Sequence, residues 1–526
     1  MKNFNQIDIL GADILYHNLL EQDDICHTIK EEIFPLILDS DFEDMYKSGG
    51  RPPVRPSILV CVTIMQFLEK LSDRAASSNL KFRLDWKIAF NLPIDFPSIH
   101  PTTLHYFRER LIESKKSSYA FDKILEHLTS LGLIKKKKKQ RIDSTHIIAN
   151  IKELSRLELL SETLRVFCKD IESYSTFLDE NLQNYRNLYL EKMTIRGISD
   201  AVRDKMIIDA GIAMKEFINL KLLPEVGPQL QLLKSYEILN TVFQQNFSSE
   251  ADGDDNGAAV SLIKISTGKG HISSPHDKEA EYANKGKKGW IGYKAQIAET
   301  IHEDSDINFI TYAEITAATA YDGDSVLPAI KELDNKNLVP SEIYGDTHYN
   351  AKNTIEQASQ LDVEMKGPVA PRPTKETQEK NKGFNFDRER NAVVCPTKIY
   401  SKKCTIFEGG YISASFPQNE CRQCDRRDIC QPEIRGKQVS FRDEHDILKT
   451  RREMMKTDEF KKDMHKRNGI EGTLSGLVRG QGMRRLRYRG LAKGRLQIKF
   501  SAAAANISRL HRCVDRFGSK MLLNAA

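Results

Sequence analysis

The chain has 526 residues, too many for one small domain, so roughly two to four units are expected. Hydrophobic residues make up 40% and charged residues 29%, which suits a globular protein with a substantial core. No apolar run nears the ~20 residues of a membrane span, and the N-terminus lacks a signal-peptide pattern, so a cytoplasmic protein is expected.

Residues 1–134 read as helical. RPPVRP (Arg51 to Pro56) is a stiff connector, and SILVCVTIMQFLEKL (Ser57 to Leu71) has helical apolar periodicity. SDRAASSNLKFRLDWKIAFNLP continues helical up to Pro93. IHPTTLHYFRERLIE places Arg108 and Arg110 on a helix that Thr102 or Thr103 would cap. These helices suit either a helix-turn-helix-like DNA reader or an ordinary helical bundle. The lysines Lys135 to Lys139 follow, and QRIDSTHIIANI then reads as a strand within residues 135–151. Asp143 stands in it among Ile142, Ile147 and Ile148, and a carboxylate there is costly unless paired or bound to metal.

Residues 152–247 return to helical patterning and form an insertion. Residues 248–289 are a linker and basic loop, beginning in the Gly- and Asp-rich stretch Asn246 to Val260. Across 290–367 the pattern changes. WIGYKAQIAET and INFITYAEIT alternate and form a hairpin, then DGDSVLPAIKELDN reads as a helix capped by Asp322 or Asp324. SEIYGDTHYN is a short strand ending at Asp346, NTIEQASQLD a helix, and VEMKGP a final strand. The fold class is α/β. A mixed sheet with a carboxylate on an early strand, and another at the end of a later one, has the outline of a ribonuclease H-like core.

Pro368 to Asn391 reads as an exposed connection opening a Cys-rich insertion, 368–440, and 441–526 is helical again. The nine cysteines, an odd number without a secretory signal, argue against a disulfide framework. Cys421 and Cys424 form a C-x-x-C pair, Cys430 follows, and Cys395 stands upstream in a Cys-Pro. Four thiolates can close a tetrahedral structural Zn²⁺ site. Cys404 is the rival for one position, and free buried thiols are the alternative.

Glu471 stands at the edge of a basic run, with Arg467 one helical turn before it. Arg479, Arg484, Arg485, Arg487, Arg489, Lys493, Arg495 and Lys499 follow, with no acid from Gly472 to Phe500. Such a run, with Tyr488 interleaved, would contact phosphates without reading sequence. The alternative for Arg467 and Glu471 is an ion pair on a solvated helix. Asp143, Asp346 and Glu471 together offer hard oxygen ligands suited to Mg²⁺ or Mn²⁺. Two such ions about 4 Å apart would clamp the attacking and leaving oxygens of a phosphoryl displacement. The alternative is three unrelated acids, a cap, a strand-end turn and one half of a helix pair.

These motifs resemble the bacterial insertion-sequence transposases of the DDE type, specifically the IS1182-like group. The resemblance rests on GRPPVRPSILVCVTIMQFLEKLSDRAA through HPTTLHYFRERL, RIDSTHIIANI, SPHDKEAEYANKGKKGWIGYKAQIAET, YGDTHYN, the cysteine cluster and RNGIEGTLSGLVRGQGMRRLRYRGLAKGRLQ. It covers most of the chain apart from the helical insertion and the linker after it. It implies a ribonuclease H-like fold, an N-terminal DNA-binding domain, and metal-dependent cleavage and joining of double-stranded DNA between the element's terminal inverted repeats and a target. It also implies a homodimer on DNA, with Asp143, Asp346 and Glu471 as the metal-binding acids. A related group has a Tyr, Arg, Glu, Lys signature in this helix. Arg467 and Glu471 fit it, whereas Met464 and Val478 stand at the Tyr and Lys positions, with Arg479 adjacent. The alternatives are a non-catalytic or domesticated DNA-binding regulator, and a metal-dependent nuclease that cuts without joining.

Overall fold

The computed structural model describes residues 19–46, 54–191, 198–248, 260–264, 268–303, 305–370, 383–387, 389–407, 411–430, 437–442 and 446–517. Arg51–Pro53 of the first connector, most of the linker after Asn246 and most of the stretch from Pro368 to Asn391 lie outside the described residues.

A mixed sheet forms the centre. Its strands are β1 (Lys139–Ile148), β2 (Glu281–Lys285), β3 (Lys288–Thr300), β4 (Ile310–Ala317), β5 (Glu342–Tyr344) and β6 (Glu364–Lys366). β3 lies antiparallel between β1 and β4. β5 pairs parallel to β1 on its other edge, and β6 pairs parallel to β5. β2 folds back on the start of β3 as a hairpin. In the β1–β3 register Asp143 lies opposite Ile297 and Arg141 opposite Glu299. Alternation along a strand therefore puts Arg141, Asp143, Ile297 and Glu299 on one face of the sheet.

The other face is covered by α10 (Val326–Asn335) and α11 (Lys352–Ser359), over Ile142, Ala298, Tyr312, Ile330, Tyr349 and Met365.

The N-terminal helices are α1 (Pro56–Leu68), α2 (Asp73–Phe82), α3 (Leu84–Ala89), α4 (Pro101–Glu113) and α5 (Tyr119–Ser130). α1 begins on a proline, whose missing N–H is no loss in a first turn, and it is buried along nearly its whole length. The helical stretch expected up to Pro93 is broken at Arg83. That residue is extended (φ −88°, ψ 122°), and its guanidinium is held by Glu69 and Asp85. α4 is capped by the side chain of His100, not by Thr102 or Thr103. Between these helices and the sheet runs α14 (Leu491–Phe517), against α1 and α5, with Phe500 stacked on Phe67 at 6.0 Å. One continuous core joins Ile64 and Phe67 of α1, Leu125 of α5, Ile147, Tyr293 and Ile297 of the sheet, and Ile498 and Ile507 of α14.

The insertion is different. Its helices α6 (Arg156–Asp170), α7 (Glu180–Leu190), α8 (Asp200–Asn219) and α9 (Lys234–Asn246) enclose a separate core of Leu160, Phe167, Met214, Phe217 and Val242. A capping box starts α6: the Ser155 hydroxyl accepts from the Glu158 N–H while Glu158 accepts from the Ser155 N–H.

The Cys-rich region contains two small antiparallel sheets, β7 (Asn385–Asp387) with β8 (Ala392–Val394), and β9 (Lys403–Phe407), β10 (Tyr411–Ser415) and β11 (Gln438–Arg442). Its core is small: Phe384, Val393, Ile412, Ala414, Phe416 and Val439. The chain then returns through α12 (Asp446–Met454) to α13 (Asp458–Gly480), which lies along β1 and carries Glu471. Among the described residues no helix is long and apolar enough to cross a membrane.

Candidate active site

Asp143 is held in the middle of β1 with a side chain 15% exposed. It accepts from the Ser144 N–H at 2.7 Å, and Arg467 of α13 donates to its Oδ2 at 3.2 Å. Asp346 follows β5 after Gly345 and accepts from the His348 N–H at 2.8 Å. Because β5 runs parallel beside β1, the two acids come together. Burial pushes the Asp143 carboxyl above its ordinary range and the charge of Asp346 adds to that, while the Ser144 N–H, Arg467 and Lys285 pull it down; the net direction is up. Tyr349, fully buried, senses the same cluster. Burial drives its hydroxyl well up, and Asp322, Asp143 and Asp346 add to this.

A buried charge cluster fixes α13 against β1. Glu299, with no exposure, accepts from Arg141 at 2.7 Å through Nε, from Arg509 of α14 at 3.1 Å and from the Thr473 hydroxyl at 2.5 Å. Arg141 also donates to the Lys466 carbonyl of α13 at 2.7 Å. Gly469 makes this approach possible: a Cβ there would lie 2.2 Å from an Arg141 nitrogen. Arg141 and Asp143 are two residues apart on one face, so the contacts that lock the helix sit beside the one that brings in Arg467.

Glu471 lies one turn beyond Arg467 on α13. It is exposed and makes no hydrogen bond or ion pair among the described residues. Nor do any three His, Cys, Asp or Glu side chains among those residues gather closely enough to hold a metal ion. Asp143 thus meets Arg467 and lies within electrostatic reach of Asp346 in this conformation, while Glu471, one turn along α13, takes no part in that contact.

One neighbouring network is not foreseen in the sequence. Asp322, expected as a possible helix cap, instead accepts from Lys294 at 3.1 Å and Gln296 at 2.9 Å. Gln296 in turn accepts from the Tyr349 hydroxyl at 2.6 Å. The available signal was the pair of polar residues, Lys294 and Gln296, alternating with apolar ones in YKAQIA.

Most of the basic residues have partners, and some of those are nonetheless exposed. Arg108 is buried, bonded to Asp73 at 2.5 Å and lying 4.8 Å over the Tyr488 ring. Arg487 donates to the Leu71 carbonyl at 2.7 Å and lies over Phe67. Arg484 donates to Thr145 and to the His146 carbonyl, and Arg489 to the Asn150 carbonyl at 3.2 Å. Lys493 pairs with Glu109, Arg495 with Glu314 and Lys499 with Glu332. Much of the run therefore knits the N-terminal helices to the sheet. Arg110, Arg479, Arg485, Arg489 and Arg495 are exposed.

In the Cys-rich region a small cavity of about 30 Å³ is lined by Cys395, Cys421, Cys424 and Cys430, with Phe384, Phe416 and Lys437. The Ile399 N–H donates to the Cys395 sulfur at 3.4 Å. Cys404 lies on β9 outside that lining. All nine cysteines are free of disulfides.

Comparison with known families adds to this geometry. Residues 394–511 match the transposase DDE domain, and residues 15–110 match a transposase domain (DUF772). Together these matches indicate a DDE-type transposase, a family that implies a DNA substrate. The pairing of the two domains is typical of the IS1182-family transposases. Glu471 and the four cavity cysteines lie inside the matched segment, whereas Asp143 and Asp346 lie outside both. No curated protein and no solved structure matches the chain.

Proposed function

We propose that this transposase cleaves the ends of an insertion sequence and joins them to target DNA, with Asp143, Asp346 and Glu471 as its catalytic acids. The observation that carries the reading is that Asp143 on β1 lies within electrostatic reach of Asp346, at the end of the parallel neighbour β5, and pairs with Arg467 of α13. The strand order, three antiparallel followed by two parallel, supports a ribonuclease H-like core. The donor set is hard oxygen and suits Mg²⁺ or Mn²⁺ held by the two aspartates, with Glu471 turning in from α13. Such ions, when bound, activate water or a 3′-hydroxyl and stabilise the leaving oxygen.

Arg467 has two roles in this reading. It balances Asp143 in the free protein, and it would be released toward a DNA phosphate if metal ions were held by the carboxylates. Arg110, Arg479, Arg485, Arg489, Lys493 and Arg495 are the remaining phosphate contacts. Arg108, Arg484 and Arg487 act on DNA indirectly, by fixing the surface those residues share. The protein works in the cytoplasm as a homodimer bridging two element ends. In the Cys-rich region Cys395, Cys421, Cys424 and Cys430 line one cavity without gathering to ligand distance in this conformation, and they would close in on a structural Zn²⁺. The cavity they line and the N–H donated to the Cys395 sulfur favour this set over one containing Cys404.

Asp143→Asn, Asp346→Asn and Glu471→Gln are each expected to abolish Mg²⁺-dependent cleavage of element-end DNA while DNA binding persists. Full cleavage by any one of them would remove that residue from the site. Purified protein is expected to carry one Zn²⁺ per chain, and less than about half an equivalent would count against the thiolate site.

A further inference from the structure

Between the linker and the sheet stands a feature that the acid site does not use. The β2–β3 hairpin turns at Gly286 (φ +63°) and carries Lys285, Lys287 and Lys288 at its tip, all exposed. None of the three pairs with a carboxylate among the described residues, and no acid occurs from Lys285 to Lys294. This contrasts with the C-terminal basic run, much of which is tied to backbone carbonyls or to glutamates.

The hairpin does not project away from the sheet. Trp290 packs on His146 of β1, ring centroids 5.1 Å apart. Gly292 lets β3 cross close to β1, since a Cβ there would lie 2.1 Å from the Ile147 carbonyl oxygen. The tip is thereby brought back over β1, where Lys285 acts electrostatically on Asp143 and, with Lys288, on His146. The hairpin thus presents exposed ammonium groups on the β1 side of the sheet, with Lys285 within electrostatic reach of Asp143, where an anion approaching that carboxylate would otherwise be repelled.

We propose that the Lys285–Lys288 hairpin is a finger that grips the backbone phosphates of the DNA strand being cut, next to the scissile phosphate, with Trp290 on His146 as its rigid footing. The inference rests on Asp143 and Asp346 being the cleavage site. Lysines suit the task as flexible point charges that meet phosphates without reading bases. Each phosphate that a lysine neutralises releases counterion, so the finger has a thermodynamic signature. The slope of log affinity against log salt changes by about 0.9 for each phosphate no longer neutralised.

The test uses the full chain carrying Lys285→Gln, Lys287→Gln and Lys288→Gln, with an element-end duplex and no divalent ion. The melting transition should hold, because all three side chains are exposed. The salt slope should become shallower by roughly 2 to 3, and cleavage at subsaturating DNA should fall with an unchanged Mg²⁺ half-saturation. A photo-crosslinker at position 287 should label nucleotides flanking the cut. An unchanged slope, or labelling only far from the cut, overturns the proposal. Should the triple variant lose stability, single substitutions at Lys287 and Lys288 give the same slope test, each expected to make the slope shallower by about 0.9. Failure of the underlying reading looks different: Asp143→Asn would still cleave, while the hairpin's slope change stayed in place.

Discussion

The N-terminal helices and the helical insertion flank β1 in sequence, yet they are built on opposite principles. α1 to α5 have no closed core of their own. They share one with the sheet and with α14, so that Phe67 packs on Phe500. The insertion buries Phe167 against Phe217 within itself and leaves the sheet's core untouched. Neighbourhood in the chain therefore says little about which helices support the acid-bearing strand. What decides is where the apolar faces are spent, and in this chain the N-terminal helices and the far C-terminal helix spend theirs together.

The largest effect that would test this contrast is expected from Phe500→Ala. Losing a buried ring costs about 3–5 kcal/mol, a large part of a typical domain's stability. The N-terminal helices and the sheet should melt together at lower temperature, with cleavage abolished. Separate melting of the two in calorimetry would break the shared-core account. Gly469→Ala comes next. The new methyl meets an Arg141 guanidinium that Glu299 and the Lys466 carbonyl already hold, so α13 must shift off β1. Cleavage should fall by about 10²-fold, as misplacements near 1 Å do, while the calorimetric transition of the shared core remains. Wild-type cleavage would show that α13's seat does not set the site.

Phe217→Ala sharpens the contrast from the other side. It should cost the insertion a similar ~3–5 kcal/mol but create a separate, earlier transition and leave cleavage below that temperature largely as it was. A fall in the main transition would mean that the two cores are coupled. The smallest effect is a pH dependence. Lys152 chiefly, then Ser155, hold the Glu158 carboxyl down to about 2; Arg165 chiefly, helped by His276, does the same for Glu162. Both acids have depressed folded-state values. Their contribution is complete above the ordinary value of 4.5 and is lost as pH falls toward 2. The insertion's melting temperature should drop across that window, and less steeply in a Glu158→Gln, Glu162→Gln variant.

Strands with clear alternation or a marked acid were legible in the sequence. β1 was readable because isoleucines surround Asp143, β3 and β4 because apolar and polar residues alternate, and β5 because its end carries Asp346. β2 was not readable: EYANK is polar and half exposed, and it pairs because the turn at Gly286 folds it onto β3. The break at Arg83 was hidden because the residues around it keep helical spacing, and only the pull of Glu69 and Asp85 reveals the turn. Which way the basic run faces was not legible for a further reason. Charge in a sequence says where cations are, not which way they face. Arg108 and Arg487 are among the more deeply placed of them, satisfied by Asp73 and by the Leu71 carbonyl.

The shared core also has a consequence in time. The N-terminal helices are complete in the chain by residue 130, yet the helix that seals them begins at Leu491. At about 5–20 residues per second on a ribosome, they wait roughly 20–80 s with apolar faces uncovered. Asp143 emerges early too, while the helix carrying Arg467 and Glu471 emerges among the last segments. For most of its synthesis a nascent chain therefore carries the N-terminal helices and Asp143 without the helices that later cover them, while the insertion can close most of its own core by Asn246. The segment that seats Arg467 and Glu471 against β1 arrives near the end, in the same moments that α14 covers the apolar faces of the N-terminal helices.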